Sequence, residues 1–244
     1  RDPLALARIS RATGLHIVMG AGYYVDAVHP DGMDDMSEGD LARQIAEEIT
    51  GGVGDTGVKA GIIGELGCTW PLSDNERKVL RGAAVAQRET GASILIHPGR
   101  NRAAPFEIVE VLTEAGADIS RVIMGHLERT IDDPDTLIDL ASKGVCMEYD
   151  IFGLETSYYP LGEMDMLSDA QRIDFIEILI KEGFADQIVI AHDVFAKHRL
   201  VKYGGHGYSH ILENIVPRMR GRGISEEHIH SIIEANPARL LTIY

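Results

Sequence analysis

Cysteine is nearly absent, with only Cys68 and Cys146 in 244 residues. Two thiols cannot build the disulfide framework of a small secreted domain. Both fall in or beside segments that read as strands, so they are expected to be reduced packing residues, although Cys68, three residues past Glu65, is also placed to line a pocket. Basic residues are in short supply as well. Lys and Arg total 23 against 38 Asp and Glu, a formal charge of −15 that argues against a general nucleic-acid binder, which needs clustered cations. No apolar run approaches the roughly 20 residues of a membrane span. The opening Arg-Asp-Pro-Leu-Ala-Leu-Ala also lacks the long apolar region of a signal peptide. The expectation is a cytoplasmic protein that binds a small molecule and has no nucleic-acid or membrane partner.

What the chain does contain is a set of short apolar runs, each ending in a group able to bind a metal. Ala60 to Ile63 leads through Gly64 to Glu65, and Ile94 to Ile96 leads to His97. Val122 to Met124 leads through Gly125 to His126, and Ile188 to Ala191 leads to His192 and Asp193. Strands of a parallel barrel are buried on both faces and read as continuous apolar runs, and chemistry collects at their carboxyl ends. Any one such residue is most simply a polar strand end. Four of them, separated by helical segments, would bring Glu65, His97, His126 and Asp193 to one rim, where they could hold zinc or a similar ion.

The fold class that follows is α/β, a (β/α)8 TIM barrel held as a single domain over residues 1–244. Strands are expected at His16–Tyr24, at the Ala60–Ile63 run that emerges at Glu65, and at Ser93–His97, Arg121–Leu127, Val145–Phe152 and Gln187–Phe195. That is six where a closed barrel needs eight. The first two β/α units are therefore expected to be absent from this chain, with the amino-terminal part of the natural polypeptide lying upstream of Arg1. Helices are expected at Leu4–Ala12, Glu38–Thr50 after a Ser37 cap, and Ser73–Thr90 with a Ser73/Glu76 capping box. Others follow at Pro105–Glu114, Asp169–Glu182, Ile211–Arg220 and Glu226–Ala235, and Asp132-Asp133-Pro134-Asp135 reads as a helix start. Two long loops, Asp26–Gly39 and Gly153–Ser168, are placed to cover a site.

Around the candidate ligands, Tyr23, Tyr24 and Tyr149 are suited to a pocket wall. Alternation puts Glu148 and Asp150 on one side of their strand, and Asp150 is a candidate to support a ligand from behind. Arg100 and Arg102 closely follow His97. They are either solvated loop cations or the planar fork that grips an anionic substrate group. The stretch Lys197–His210 mixes cations and glycine and reads equally as a ligand approach or as a connector. His16, His228 and His230 read as structural or surface residues.

The set Gly-Glu-Leu-Gly at 64–67, Ile-His-Pro-Gly-Arg at 96–100, Gly-His-Leu at 125–127, Ala-His-Asp at 191–193, Lys-Tyr-Gly-Gly-His-Gly-Tyr-Ser-His at 202–210 and Asn-Pro-Ala-Arg at 236–239 resembles the phosphotriesterase-related proteins of the amidohydrolase superfamily. The resemblance implies a (β/α)8 barrel with two divalent metals, usually zinc. By position, His97 and His126 would bind one metal, Glu65 would bridge both, and Asp193 would bind the other and move a proton. The family's His-x-His pair from the first strand has no counterpart here. A glutamate at the bridge, where phosphotriesterases and lactonases place a carboxylated lysine, is similar to the phosphotriesterase-related branch. That branch is associated with hydrolysis of N-acyl taurines such as N-acetyltaurine.

The activity so implied is a metal-activated water attacking an amide or ester carbonyl, with Asp193 as the catalytic residue and His192 orienting it. Arg100, Tyr24, Tyr149 and His192 are the expected substrate-binding set, and Arg100 or the cations between Lys197 and Lys202 would hold an anionic sulfonate. Barrels of this superfamily often form homodimers. The rivals are a lactonase or phosphotriesterase on the same metals, and a non-catalytic binding barrel. A Schiff-base aldolase fits less well, because Lys59 lies at the wrong end of its strand.

Overall fold

The computed structural model describes residues 1–156, 158–162 and 164–243. Ser157 and Glu163, in the second long loop, and Tyr244 lie outside the described residues. Strands and helices alternate along the chain, as the runs and periodicities predict. The strands are β1 (Gly20–Ala21), β2 (Ile62–Gly67), β3 (Ile94–His97), β4 (Val122–Met124), β5 (Cys146–Tyr149) and β6 (Ile188–Ile190), in the sheet order β1-β2-β3-β4-β5-β6. β1 pairs with β2, β2 with β3, β4 with β5 and β5 with β6, all in parallel. Among the described residues, no helix is long and apolar enough to cross a membrane.

The chain forms two compact units. The first comprises residues 1–99, 107–122 and 240–243. Its opening helix, α1 (Pro3–Thr13), starts where the Asp2 carboxylate accepts from the Ala5 amide and stops at Gly14, whose φ of 75° suits only glycine well. The expected first strand shrinks to two residues because glycine breaks it: Gly22 sits at φ 135°. Isolated ladder bonds persist on either side, from Gly61 N–H to Met19 C=O and from Gly67 N–H to Tyr23 C=O. Helices α2 (Glu38–Thr50) and α3 (Asp74–Thr90) each open with a complete capping box, Ser37 with Asp40 and Ser73 with Glu76. They pack where α3 is thinnest, since a Cβ on Gly82 would stand 3.0 Å from Glu38 C=O and from Leu41 Cβ.

Glu76 does more than cap. Almost fully buried, its carboxylate also accepts from the Asp26 amide at 3.1 Å and from the Thr69 amide and hydroxyl. It therefore ties the loop after β1 to the loop after β2. Further along, Asn75 donates to Asp34 and Lys78 to Met33 C=O, so the Asp26–Gly39 loop is anchored to the start of α3.

The second unit comprises residues 100–106 and 123–239. Helix α4 (Ala104–Glu114) begins in it, and α5 (Pro134–Ala141) starts on an Asp133 cap with Pro134 in the first turn, as the acidic run predicts. Helix α6 (Asp169–Lys181) opens with a Ser168/Gln171 capping box. The expected strand to Phe195 ends at Ile190, and the chain turns at Asp193, a non-glycine residue at φ 43°. Two helical segments were expected beyond it, and each is a composite. Ile211–Ile215 is π-helical and continues as α7 (Val216–Gly221), whereas α8 (Glu226–His230) runs through a π-helical stretch into α9 (Asn236–Leu241).

The Asn-Pro-Ala-Arg motif has a structural task. The Asn236 amide donates to the Ala185 and Ile188 carbonyls, and Arg239 donates to Asp186 C=O, fastening α9 to the entry of β6. Both cysteines are free and buried, and burial pushes each thiol well up, as inert packing residues require.

Candidate metal centre

Gly64 sets the stage for Glu65. It sits at φ 131°, and a Cβ there would stand 2.4 Å from the Leu95 carbonyl, so only glycine lets β2 run this close to β3. The next residue presents Glu65, half-buried, with a carboxylate oxygen 3.6 Å from His97 Nδ1. His97 closes β3 and is 7% exposed. The Tyr24 hydroxyl lies 3.1 and 3.2 Å from its two ring nitrogens, and the two rings meet edge to face at 4.9 Å. Tyr24 thus stands against a candidate ligand.

His126 is held differently. Its backbone takes a left-handed φ of 53°, rare for a residue with a side chain, and its amide donates to both Asp150 carboxylate oxygens at 3.1 Å. The same carboxylate receives Nδ1–H at 2.7 Å. A proton held on Nδ1 leaves Nε2 as the lone-pair nitrogen, the arrangement in which a carboxylate orients a metal-binding imidazole. Glu148 lies on the same side of β5, as alternation requires. Burial, then the neighbouring Asp150 charge, push its pKa well above the usual carboxylate range.

One ligand atom from each of Glu65, His97 and His126 lies within 4.8 Å of the others. Two imidazoles and a carboxylate converging at this spacing match the donor set of a divalent transition metal, with ring orientation supplied by Asp150. The residues present therefore fit a metal. Asp193 is not one of the three. It follows β6 by three residues, and its charge bears on Arg199, opposing the depression that burial causes there.

The remaining sequence-predicted residues take distinct positions. Arg100 is exposed, and its Nε donates to the Tyr159 hydroxyl at 2.8 Å. Arg102 is taken up by Asp132 and Asp133. Tyr149 is fully buried with its ring 6.4 Å from Phe175, and its hydroxyl has no hydrogen-bond partner among the described residues. His192 accepts the Ile211 amide on Nε2 at 3.0 Å. Burial, with His210 and Arg199 beside it, lowers its pKa to about 4, so the ring is neutral near pH 7.

Sequence reasoning missed two features. One is a fully buried network in which Arg172 donates to Glu128, Asp169 and the Leu154 carbonyl, while His210 binds Asp169 at 2.7 Å. Asp169 and Arg172, three apart at a helix start, look like ordinary surface charges, and nothing in their spacing marks them as buried. The other is Arg129, only 3% exposed, which lines a cavity with Arg100. A signal for it existed: His97 and His126 are each followed by arginine at the third position.

A parallel α/β chain with metal-binding side chains at the ends of successive strands belongs to the broad class of barrel metalloproteins that do their work at the carboxyl ends of the sheet. Within that class the chain belongs to the phosphotriesterase family, whose model matches residues 1–241. It is 51% identical over 244 residues to the N-acetyltaurine hydrolase of Dictyostelium discoideum, covering 100% of this chain and 66% of that protein. The N-acetyltaurine hydrolase of Homo sapiens is 49% identical over 243 residues, covering 99% of this chain and 70% of that one. Among solved structures, the phosphotriesterase homology protein from Escherichia coli, complexed with phosphate in its active site, superimposes with a TM-score of 0.90 at 29% identity, over 99% of this chain and 80% of that chain. The family resemblance and the (β/α)8-type fold class read from the motifs and runs both hold.

Proposed function

We propose that this protein is a metal-dependent hydrolase that cleaves the amide bond of N-acyl taurines, N-acetyltaurine among them. The observation that carries the proposal is the convergence of Glu65, His97 and His126 within 4.8 Å of one another. The full-length relatives named for this activity support the choice of substrate. The single-domain reading of residues 1–244, a pair of zinc ions, a cytoplasmic location and a homodimeric state belong to the same proposal.

When bound, a divalent ion supplies Lewis acidity toward the scissile carbonyl and lowers the pKa of water to about 7. The chain's own residues do the rest. His126, locked by Asp150, and His97, backed by Tyr24, present fixed nitrogens, and Glu65 adds the negative charge that lets the site take a cation. Asp193 takes the proton from the attacking water and returns it to the leaving amine, so that one proton crosses the site per bond cleaved. Arg100 and Tyr24 face the substrate, while Tyr149 and neutral His192 hold the walls behind them.

Glu65→Gln removes the charge and keeps the shape. It is expected to lower metal content from near stoichiometric to near zero and turnover of N-acetyltaurine by at least about 100-fold. Elemental analysis paired with an amide-cleavage assay checks this, and a metal-loaded, active E65Q protein would sink the assignment. A panel of lactones and aryl phosphotriesters run beside N-acyl taurines tests the substrate class.

A further inference from the structure

We infer that Arg199 is a positioning residue for Asp193, holding the backbone on both sides of that carboxylate so that it meets the attacking water at a fixed angle. The inference rests on the hydrolase reading for the task of Asp193. Asp193 follows the end of β6 by three residues and sits at φ 43°. A residue with a side chain keeps that left-handed conformation only where its surroundings over-determine it.

Arg199 supplies much of that determination. It falls among the loop cations that the sequence offers to a substrate anion, yet it is only 4% exposed. Its Nη2 donates to the Phe152 carbonyl at 2.9 Å and to the His192 carbonyl at 2.7 Å, the latter belonging to the peptide bond that leads into Asp193. One guanidinium thus ties the segment after β5 to the segment after β6. On the other side of Asp193, the Phe195 ring has its centre 6.0 Å from the guanidinium carbon, and the Phe195 amide donates to Asp193 C=O at 2.9 Å. The His192 ring is pinned separately, by the Ile211 amide on Nε2. Burial lowers the Arg199 pKa and the Asp193 charge is the first to oppose it, so guanidinium and carboxylate lie within electrostatic reach of each other.

The glycine-rich run that follows seats the arginine. A Cβ on Gly205 would stand 2.3 Å from the Arg199 carbonyl carbon and oxygen, and the Gly207 N–H donates to that carbonyl at 2.9 Å. The Lys-Tyr-Gly-Gly-His-Gly stretch therefore folds back onto the Arg199 backbone as closely as glycine permits, while the side chain reaches the strand ends.

The test uses Arg199→Met, which keeps the aliphatic length and removes the donors, beside Arg199→Lys, which keeps the charge and loses the fork. In Arg199→Met, kcat on N-acetyltaurine is expected to fall by roughly 10- to 100-fold with KM changed by less than about 3-fold, and Arg199→Lys to recover part of the loss. Hydrogen exchange read by mass spectrometry reports the position itself. The peptide over residues 191–196 is expected to exchange at least about 10-fold faster in Arg199→Met, while α5 in the same unit keeps its wild-type rate. Arg199→Lys gives the same local change at smaller size and serves if the methionine variant impairs folding. Unchanged exchange at 191–196, exchange raised equally in α5, or a loss carried in KM alone would overturn the inference. If the wild-type protein cleaves no N-acyl taurine yet exchange rises at 191–196 alone, the hydrolase reading falls and Arg199 still stands as the residue that positions Asp193.

Discussion

Asp150 shows how much a single side chain can decide at this site. One carboxylate fixes the His126 amide and ring together, and its removal lets the imidazole turn and change tautomer. Asp150→Asn is expected to weaken metal affinity by about 10- to 100-fold while leaving the fold intact, read by competition with a chelator. Asp169 decides stability instead. Asp169→Asn leaves fully buried Arg172 with Glu128 as its one carboxylate partner among the described residues and should cost about 3 to 5 kcal/mol in a urea titration. Burial alone would raise the Asp169 pKa, but the Gly153 amide, His210 and Arg172 outweigh it and hold the carboxyl below its ordinary 3.8. The unfolded chain thus takes up this proton at higher pH than the folded one. The stability it lends is complete above about pH 4 and is lost as pH falls through the lowered value. Asn at 169 should remove that part of the acid limb, and an unchanged limb would show that the network does not act through this charge. Of these residues, the ligands and Asp150 were legible as strand-end and alternation signals. The buried Arg172 network was not, because charge and spacing on one helix do not report what lies across from it.

At the scale of elements, helix starts were the most legible feature, since Ser37, Ser73 and Asp133 announce their caps within three or four residues of sequence. Strand length was the least. The His16–Tyr24 run reads as a nine-residue strand and the structure keeps two, because the glycines that punctuate it permit turns that no apolar count reveals. Nor does amphipathic spacing ensure burial, as Leu4 and Ile9 of α1 are about half exposed. A glycine in β2 likewise sets the spacing of the sheet. A Cβ at Gly64 meets the Leu95 carbonyl at 2.4 Å, in a backbone region that side chains avoid. Gly64→Ala should therefore destabilise the protein by about 3 kcal/mol or more and displace Glu65 from its place beside His97. Thermal melting together with metal content reads both effects. Loss of stability with full metal binding would show that β2 shifts without moving the ligand.

The whole molecule carries 15 more negative than positive charges, which favours uptake of cations and leaves an anionic substrate in need of local positive charge. The ligands come from segments distant in sequence, so a metal that binds only the folded chain raises its stability by mass action, by about 4 kcal/mol at a free concentration 1,000 times the dissociation constant. Chelation of the loaded protein should accordingly lower its melting temperature, and readdition of zinc should restore it. E65Q should show neither response. The stoichiometry of restoration then tests the second metal: about two ions per chain if Asp193 serves another ion, and one if Glu65, His97 and His126 form the whole centre. Asp193→Asn separates these outcomes. With two metals it reduces the count by one and lowers the melting temperature of the loaded protein, whereas with one metal it leaves the count unchanged and affects turnover alone, as a residue that only moves a proton must.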